Sequence, residues 1–226
     1  MNLLALDTAT EICGVALVLD GRLAARLSLA LGNTHARELM PAVDWILQRV
    51  GLASDQVDVF AVNQGPGSFT GLRIGISTAN GLASATGKPL IGITTLEALA
   101  HQAPTDEGLV CPMIDARRSE VYWSLYQHRD GQLILLGPPR VDTPETVAAL
   151  IPAECTAIGN GVRVYEEVLR RHCSVVLHWV PDHLNDLCPG TLARLAYDQW
   201  LSGYHDSGRV VEPVYVRESD ARLPSA

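Results

Sequence analysis

The chain has 226 residues, 47% of them hydrophobic and 19% charged, enough for one large domain or two small lobes with a buried core. Its formal net charge is −8 and Lys88 is its only lysine, so it lacks the basic patch expected of a stand-alone nucleic-acid binder or a membrane-surface protein. No apolar run reaches the roughly 18 residues that a membrane helix needs, and five scattered cysteines without a CxxC read as free thiols in a reducing cytosol.

The N-terminal stretch has no basic n-region and is interrupted at Asp7, so it reads as strands and not as a secretion signal. Residues 2–7, 12–19 and 22–30 are strand-like, and Asp20-Gly21 between the last two signals a hairpin. In the next segment Leu39, Val43, Ile46, Leu47 and Val50 fall on one arc at helical period. Thr34 or Asn33 can cap this helix, Gly51 can end it, and Pro41 should bend it unless it lies near the first turn. Trp45 falls opposite the apolar arc, either lying flat on the surface or meeting a partner.

Residues 57–62 predict a strand, and the glycine-rich turn at 65–71 runs into a helix. A strand (89–93) and a helix (94–102) follow, and the polar stretch 103–108 is the best candidate boundary. Beyond it the opening pattern returns as strand, acid, turn, strand, Asp-Gly hairpin and strand. Asp115 answers Asp7, and Asp130-Gly131 answers Asp20-Gly21, with acid-to-glycine spacings of 14 and 16 residues. Helices at 143–150, 162–171 and 189–202 and strands at 155–159 and 174–179 complete the pattern, and an extended tail packs over 212–224. A duplicated meander followed by helices and strands predicts an α/β protein with two similar lobes facing a cleft, the architecture of actin, sugar kinases and heat-shock ATPases. The lobes divide as 1–104 and 105–226, with the final helix and tail returning to the first.

The turn Gly65-Pro66-Gly67-Ser68-Phe69-Thr70-Gly71 is neither a P-loop nor a GxGxxG fingerprint. It is either a tight strand-to-helix turn or an anion site at the helix start. Gly71, Gly75 and Ala79 recur at a spacing of four, a ridge that lets another helix approach closely, within the lobe or from a second subunit. Asp7 and Asp115 end the first strand of each meander. They are either turn acids bonded to local amides or cleft acids that hold a metal-bound phosphate through water. No histidine pair has the i,i+4 spacing of a helical metal site, and Gly75-Ile76-Ser77-Thr78-Ala79 misses GxSxG because it lies within a helix. No catalytic or metal-ligating residue is expected.

Taken in order, LALDTATEICGVALVLDG at the start, His35 with Leu39 and Pro41, GPGSFTGLRIG at 65–75, IDARRSEVYW at 114–123 and PVYVRESDA at 213–221 resemble the TsaB (YeaZ) family over nearly the whole chain. The resemblance implies a two-lobed actin-like (ASKHA) fold. It also implies a non-catalytic cytoplasmic partner of the paralogous TsaD, which transfers a threonylcarbamoyl group to the adenosine beside the anticodon of tRNA. That paralogue holds a metal through a helical histidine pair, which this chain lacks. Proteins of this kind were long labelled glycoproteases, but no peptidase machinery is visible here.

The resemblance further implies contact with TsaD, and with a second copy when the chain is isolated, through helices 34–50 and 70–86. His35, Leu39, Met40, Trp45, Gly71, Arg73, Gly75 and Ala79 are the expected interface residues. TsaE would join in a larger nucleotide-dependent complex, with tRNA met only indirectly and no membrane. No cofactor is expected on the isolated chain, and ATP or ADP would enter only with the assembled complex. Vestigial cofactor positions fall at Asp7, Thr8, Gly65, Gly67 and Asp115. The alternatives are an autonomous ATP-binding phosphotransferase or ATPase that uses the cleft, and a metallopeptidase.

Overall fold

The computed structural model describes residues 1–30, 32, 34–203 and 210–217. Strands β1 (Asn2–Asp7), β2 (Ile12–Leu19) and β3 (Arg22–Ala30) form an antiparallel meander. Asp20 and Gly21 both take positive φ (48° and 77°), as a two-residue hairpin turn requires. Helix α1 (His35–Val50) follows, with Thr34 at its N-cap and Gly51 closing it in the left-handed region at φ 68°. It continues through Pro41, which lies on the exposed side. Asn33 lies outside the described residues.

β4 (Val59–Gly65) and β5 (Leu90–Thr94) add in parallel, giving the order β3-β2-β1-β4-β5. Between them runs α2 (Phe69–Thr86), and α3 (Thr95–Gln102) follows β5. β4 begins later and ends later than the hydrophobic run suggests, because Asn63 and Gly65 still pair with β5. The sheet is covered on both faces, which explains its nearly unbroken apolar strands. Leu4 and Leu6 of β1 pack under α1 and α2 with Leu39, Ile46, Phe60 and Leu72. Leu3 and Ala5 face the other way, toward Leu96, Leu99 and Leu192.

The second sheet has seven strands: β6 (Gly108–Arg117), β7 (Glu120–Trp123), β8 (Tyr126–Arg129), β9 (Gln132–Leu135), β10 (Arg140–Asp142), β11 (Cys155–Ile158) and β12 (Leu177–Trp179). The repeated meander is present, but its second and third strands are each broken in two. β7 pairs with the end of β6 and β8 with its beginning, in one register up to a bulge between Asp115 and Arg117. The gap faces Pro112, which has no N–H to give a ladder. Gly137-Pro138-Pro139 interrupts the third strand in the same way, between β9 and β10.

Helices α4 (Pro144–Leu150) and α5 (Asn160–His172) cover one face of this sheet. α6 (Pro189–Leu201), though last in the chain, packs on the first sheet, against β1 and β2 above all. One core joins the two sheets, with Ile114, Ile158 and Val180 meeting Leu96, Leu99 and Leu192. All five cysteines are free thiols, and burial pushes that of Cys155 up to about 12. Among the described residues no helix is long and apolar enough to cross a membrane.

Candidate functional site

The site is organised by the turn that follows β1. Thr8 and Ala9 lie directly on the start of α2, and the glycines of α2 make room for them. A Cβ on Gly67 would stand 2.2 Å from the Ala9 carbonyl oxygen, and one on Gly71 would stand 2.1 Å from that of Thr8. On Gly75 it would meet the Thr8 Oγ1 at 2.3 Å. Real side chains do not tolerate such approaches, so these positions admit only glycine. Thr8 Oγ1 donates to the Gly71 carbonyl at 2.7 Å, and the Ser68 amide donates to the Ala9 carbonyl at 2.7 Å. Ser68 caps the helix, its Oγ accepting from the Gly71 amide at 3.2 Å.

The ridge Gly71, Gly75 and Ala79 is therefore filled from within the lobe. Of the two readings of the ridge, packing within the lobe is the one this geometry fits. Its small residues accommodate the Thr8 turn and the sheet, and all three are buried within the chain. His35 and Leu39 also lie inside the lobe. Leu39 is in the core, and His35 is buried with its Nε2 2.9 Å from the Thr10 carbonyl oxygen.

Asp7 follows the turn reading and is enclosed. It has no exposed surface and does not line the cleft. Its Oδ1 accepts from the Ala9 amide at 3.0 Å and from Asn63 Nδ2 at 2.9 Å, while Oδ2 has no partner among the described residues. Asn63 is held in turn, its Oδ1 accepting from the Gly65 amide at 2.9 Å and lying 2.8 Å from Thr95 Oγ1. The start of α6 roofs the spot. A Cβ on Gly14, the ladder partner of Asp7, would stand 3.1 Å from Pro189. Burial pushes the Asp7 carboxyl up to about 6, against the lowering effect of its two hydrogen bonds.

Asp115 is the half of the pair that reaches the cleft. Its Oδ1 accepts from the Arg117 amide at 2.9 Å and from Tyr165 Oη at 3.2 Å, and its Oδ2 lies 3.4 Å from the Arg117 guanidinium. Both acids thus bond an amide two residues ahead, the local turn role. The cleft, of about 460 Å³, is bordered by Thr10, Glu11, Gly67, Phe69 and Asp115, with Arg117 and Arg217 as its cations. Both arginines are already matched, Arg117 to Glu11 at 2.7 Å and Arg217 to Glu120. Gly65, with φ 103°, stands behind Leu72 and does not line the cleft.

Of the expected interface residues, Met40, Trp45 and Arg73 stand on the surface, with Trp45 48% exposed beneath the Arg49 guanidinium. Two residues absent from that set join them. Phe69 and Tyr215 are both about half exposed, with ring centroids 5.5 Å apart. The Arg73 guanidinium lies 4.0 Å over Phe69, and its Nε donates to Tyr215 Oη at 3.2 Å. Phe69 had a readable signal, an aromatic residue at the first position of a helix after a polar cap. Tyr215 had none.

Residues 30–200 match the family model described as TsaD, tRNA N6-adenosine threonylcarbamoyltransferase. The chain is 35% identical to the tRNA threonylcarbamoyladenosine biosynthesis protein TsaB of Escherichia coli, with 99% of each chain covered. It is 33% identical to the protein of the same name from Haemophilus influenzae, over 96% of this chain and 94% of that one. Among solved structures, YeaZ from Pseudomonas aeruginosa aligns with a TM-score of 0.80 at 34% identity, covering 95% of this chain and 99% of that one. The ethanolamine utilization protein EutJ from Carboxydothermus hydrogenoformans shares the fold alone, with a TM-score of 0.52 at 10% identity.

Proposed function

As the chain belongs to the TsaB (YeaZ) family, we propose that it serves tRNA threonylcarbamoyladenosine biosynthesis as a non-catalytic subunit that binds and activates TsaD. The observation that carries this reading is the sealing of Asp7. In a two-lobed nucleotide-binding fold the acid ending the first strand reaches the cleft to hold a metal-bound phosphate. Here that acid is enclosed, Asp115 is committed to Arg117 and Tyr165, and the cleft arginines are neutralised by carboxylates. With Asp7 sealed, and with Glu11 and Asp115 at the rim paired to Arg117 and Glu120 paired to Arg217, the cleft is poorly suited to grip a triphosphate.

What the lobe offers outward is Met40 and Trp45 on α1 and Phe69 with Arg73 on α2. Aromatic and arginine side chains of this kind anchor protein interfaces. In this reading TsaD covers that face, a second copy covers it when the chain is alone, and TsaE joins with ATP or ADP in the assembled complex. The lobes divide at residue 104, with α6 and the tail returning to the first, and the setting is the cytoplasm. With a net charge of −8, the chain leaves tRNA contact to its partners.

Sedimentation of the chain with TsaD tests the reading, and a stable heterodimer is expected. No association at micromolar concentrations would contradict it. Calorimetry with ATP and magnesium tests the alternative of an autonomous ATPase. Tight binding lost on Asp7→Ala would favour that alternative.

A further inference from the structure

We propose that residues 210–217 form a strap that ties α2 to the β6–β7 turn and holds that turn in its strained conformation. The segment has no regular secondary structure, yet it is gripped at four successive points. Asn80, in the fourth turn of α2, engages both backbone groups of Val211, donating to its carbonyl at 3.0 Å and accepting from its amide at 3.1 Å. The Val214 amide donates to the Gln64 carbonyl at 2.7 Å, at the end of β4. Tyr215 stacks on Phe69 and accepts from Arg73. Arg217 then crosses to the second sheet, donating to the Ala116 carbonyl at 3.2 Å and pairing with the Glu120 carboxylate.

The last grip falls on an unusual piece of backbone. Arg117, Arg118 and Ser119 have φ of 60°, 57° and 58°, three successive non-glycine residues in the left-handed region. L-residues visit that region singly and at a cost, and a run of three persists only where its surroundings impose it. Ala116 and Glu120, the residues flanking the run, are the two that Arg217 holds. Arg217 and Phe69 also border the same cleft, so the strap sets the spacing of its walls. A load on α2 at Asn80 or Phe69 is thereby transmitted through the strap to the turn of the other sheet.

Amide hydrogen exchange on the full chain tests this, comparing wild type with Arg217→Ala and Asn80→Ala. Both substitutions are expected to speed exchange at residues 116–120 at least tenfold, with β1 and β4 unchanged. The Asn80 variant is decisive because Asn80 grips the far end of the segment. If only Arg217→Ala speeds exchange there, Arg217 is a local clamp and the strap is refuted. If neither does, the turn is held by its own sheet and the proposal also fails.

Discussion

Replacing Asp7 by asparagine should stabilise the protein at neutral pH, by an amount that depends on pH in a defined direction. The carboxyl has no exposed surface, and its Oδ2 has no partner among the described residues. Burial raises it from 3.8 to about 6. At 1.36 kcal/mol per pKa unit, a rise of about two units corresponds to about 3 kcal/mol. The folded state holds this proton more tightly than the unfolded chain does. Stability from this group is therefore complete below pH 3.8 and is lost as pH climbs through about 6. Asparagine keeps the Oδ1 acceptor for the Ala9 and Asn63 donors and imitates the protonated acid. Urea unfolding of both proteins should therefore coincide near pH 4. By about pH 7.5 the variant should be the more stable, by about 3 kcal/mol. An Asp7→Asn protein less stable than wild type at pH 7.5, or a difference that does not change with pH, would refute the reasoning. Either result would mean that the carboxylate finds a favourable partner.

Gly75→Leu should destabilise the fold itself, by about 1–3 kcal/mol or more in a thermal melt, because its Cβ alone would press on Thr8 Oγ1 at 2.3 Å. An unchanged melting temperature would mean that the ridge is open after all. Gly81→Ala should stabilise by about 1 kcal/mol, since Gly81 is exposed within α2 and a Cβ there meets nothing within 4 Å. A lowered melting temperature would count against that helix geometry. Trp45→Ala and Phe69→Ala should each weaken association with TsaD tenfold or more in sedimentation while leaving the melt within about 1 kcal/mol of wild type. Full affinity in both variants would move the contact to another face.

Local signals in the sequence carry over well where the cause is local. The Asp-Gly hairpins take the positive φ that such pairs favour, 48° and 77° in the first and 52° and 73° in the second. The apolar arc of α1 is the buried face. The α/β class and its actin-like form follow from the repeated meander.

What the sequence withholds is direction. A spacing of four among small residues says that something approaches closely, and here that is Thr8, from 63 residues away along the chain by its bond to Gly71. The acid ending β1 is legible as a residue but not as a sealed one, because the residues that enclose it come from β2, β4 and α6. The breaks in the second meander have visible causes in Pro112 and Gly137-Pro138-Pro139, yet the overall periodicity conceals them. The strap is the least legible part. Its residues have no period, and its partners Gln64, Arg73 and Asn80 lie more than a hundred residues earlier. Residues 218–224 of the expected extended tail lie outside the described residues.

The central claim is that this chain contributes to threonylcarbamoyl transfer by supporting TsaD and not through chemistry of its own. Transfer of the threonylcarbamoyl group to tRNA by purified TsaD, measured with and without this chain, tests that claim most directly. Little transfer is expected without the chain, full transfer with it, and full transfer with an Asp7→Asn chain. Full-rate transfer by TsaD alone would contradict it, and so would activity lost on Asp7→Asn while the two proteins still associate.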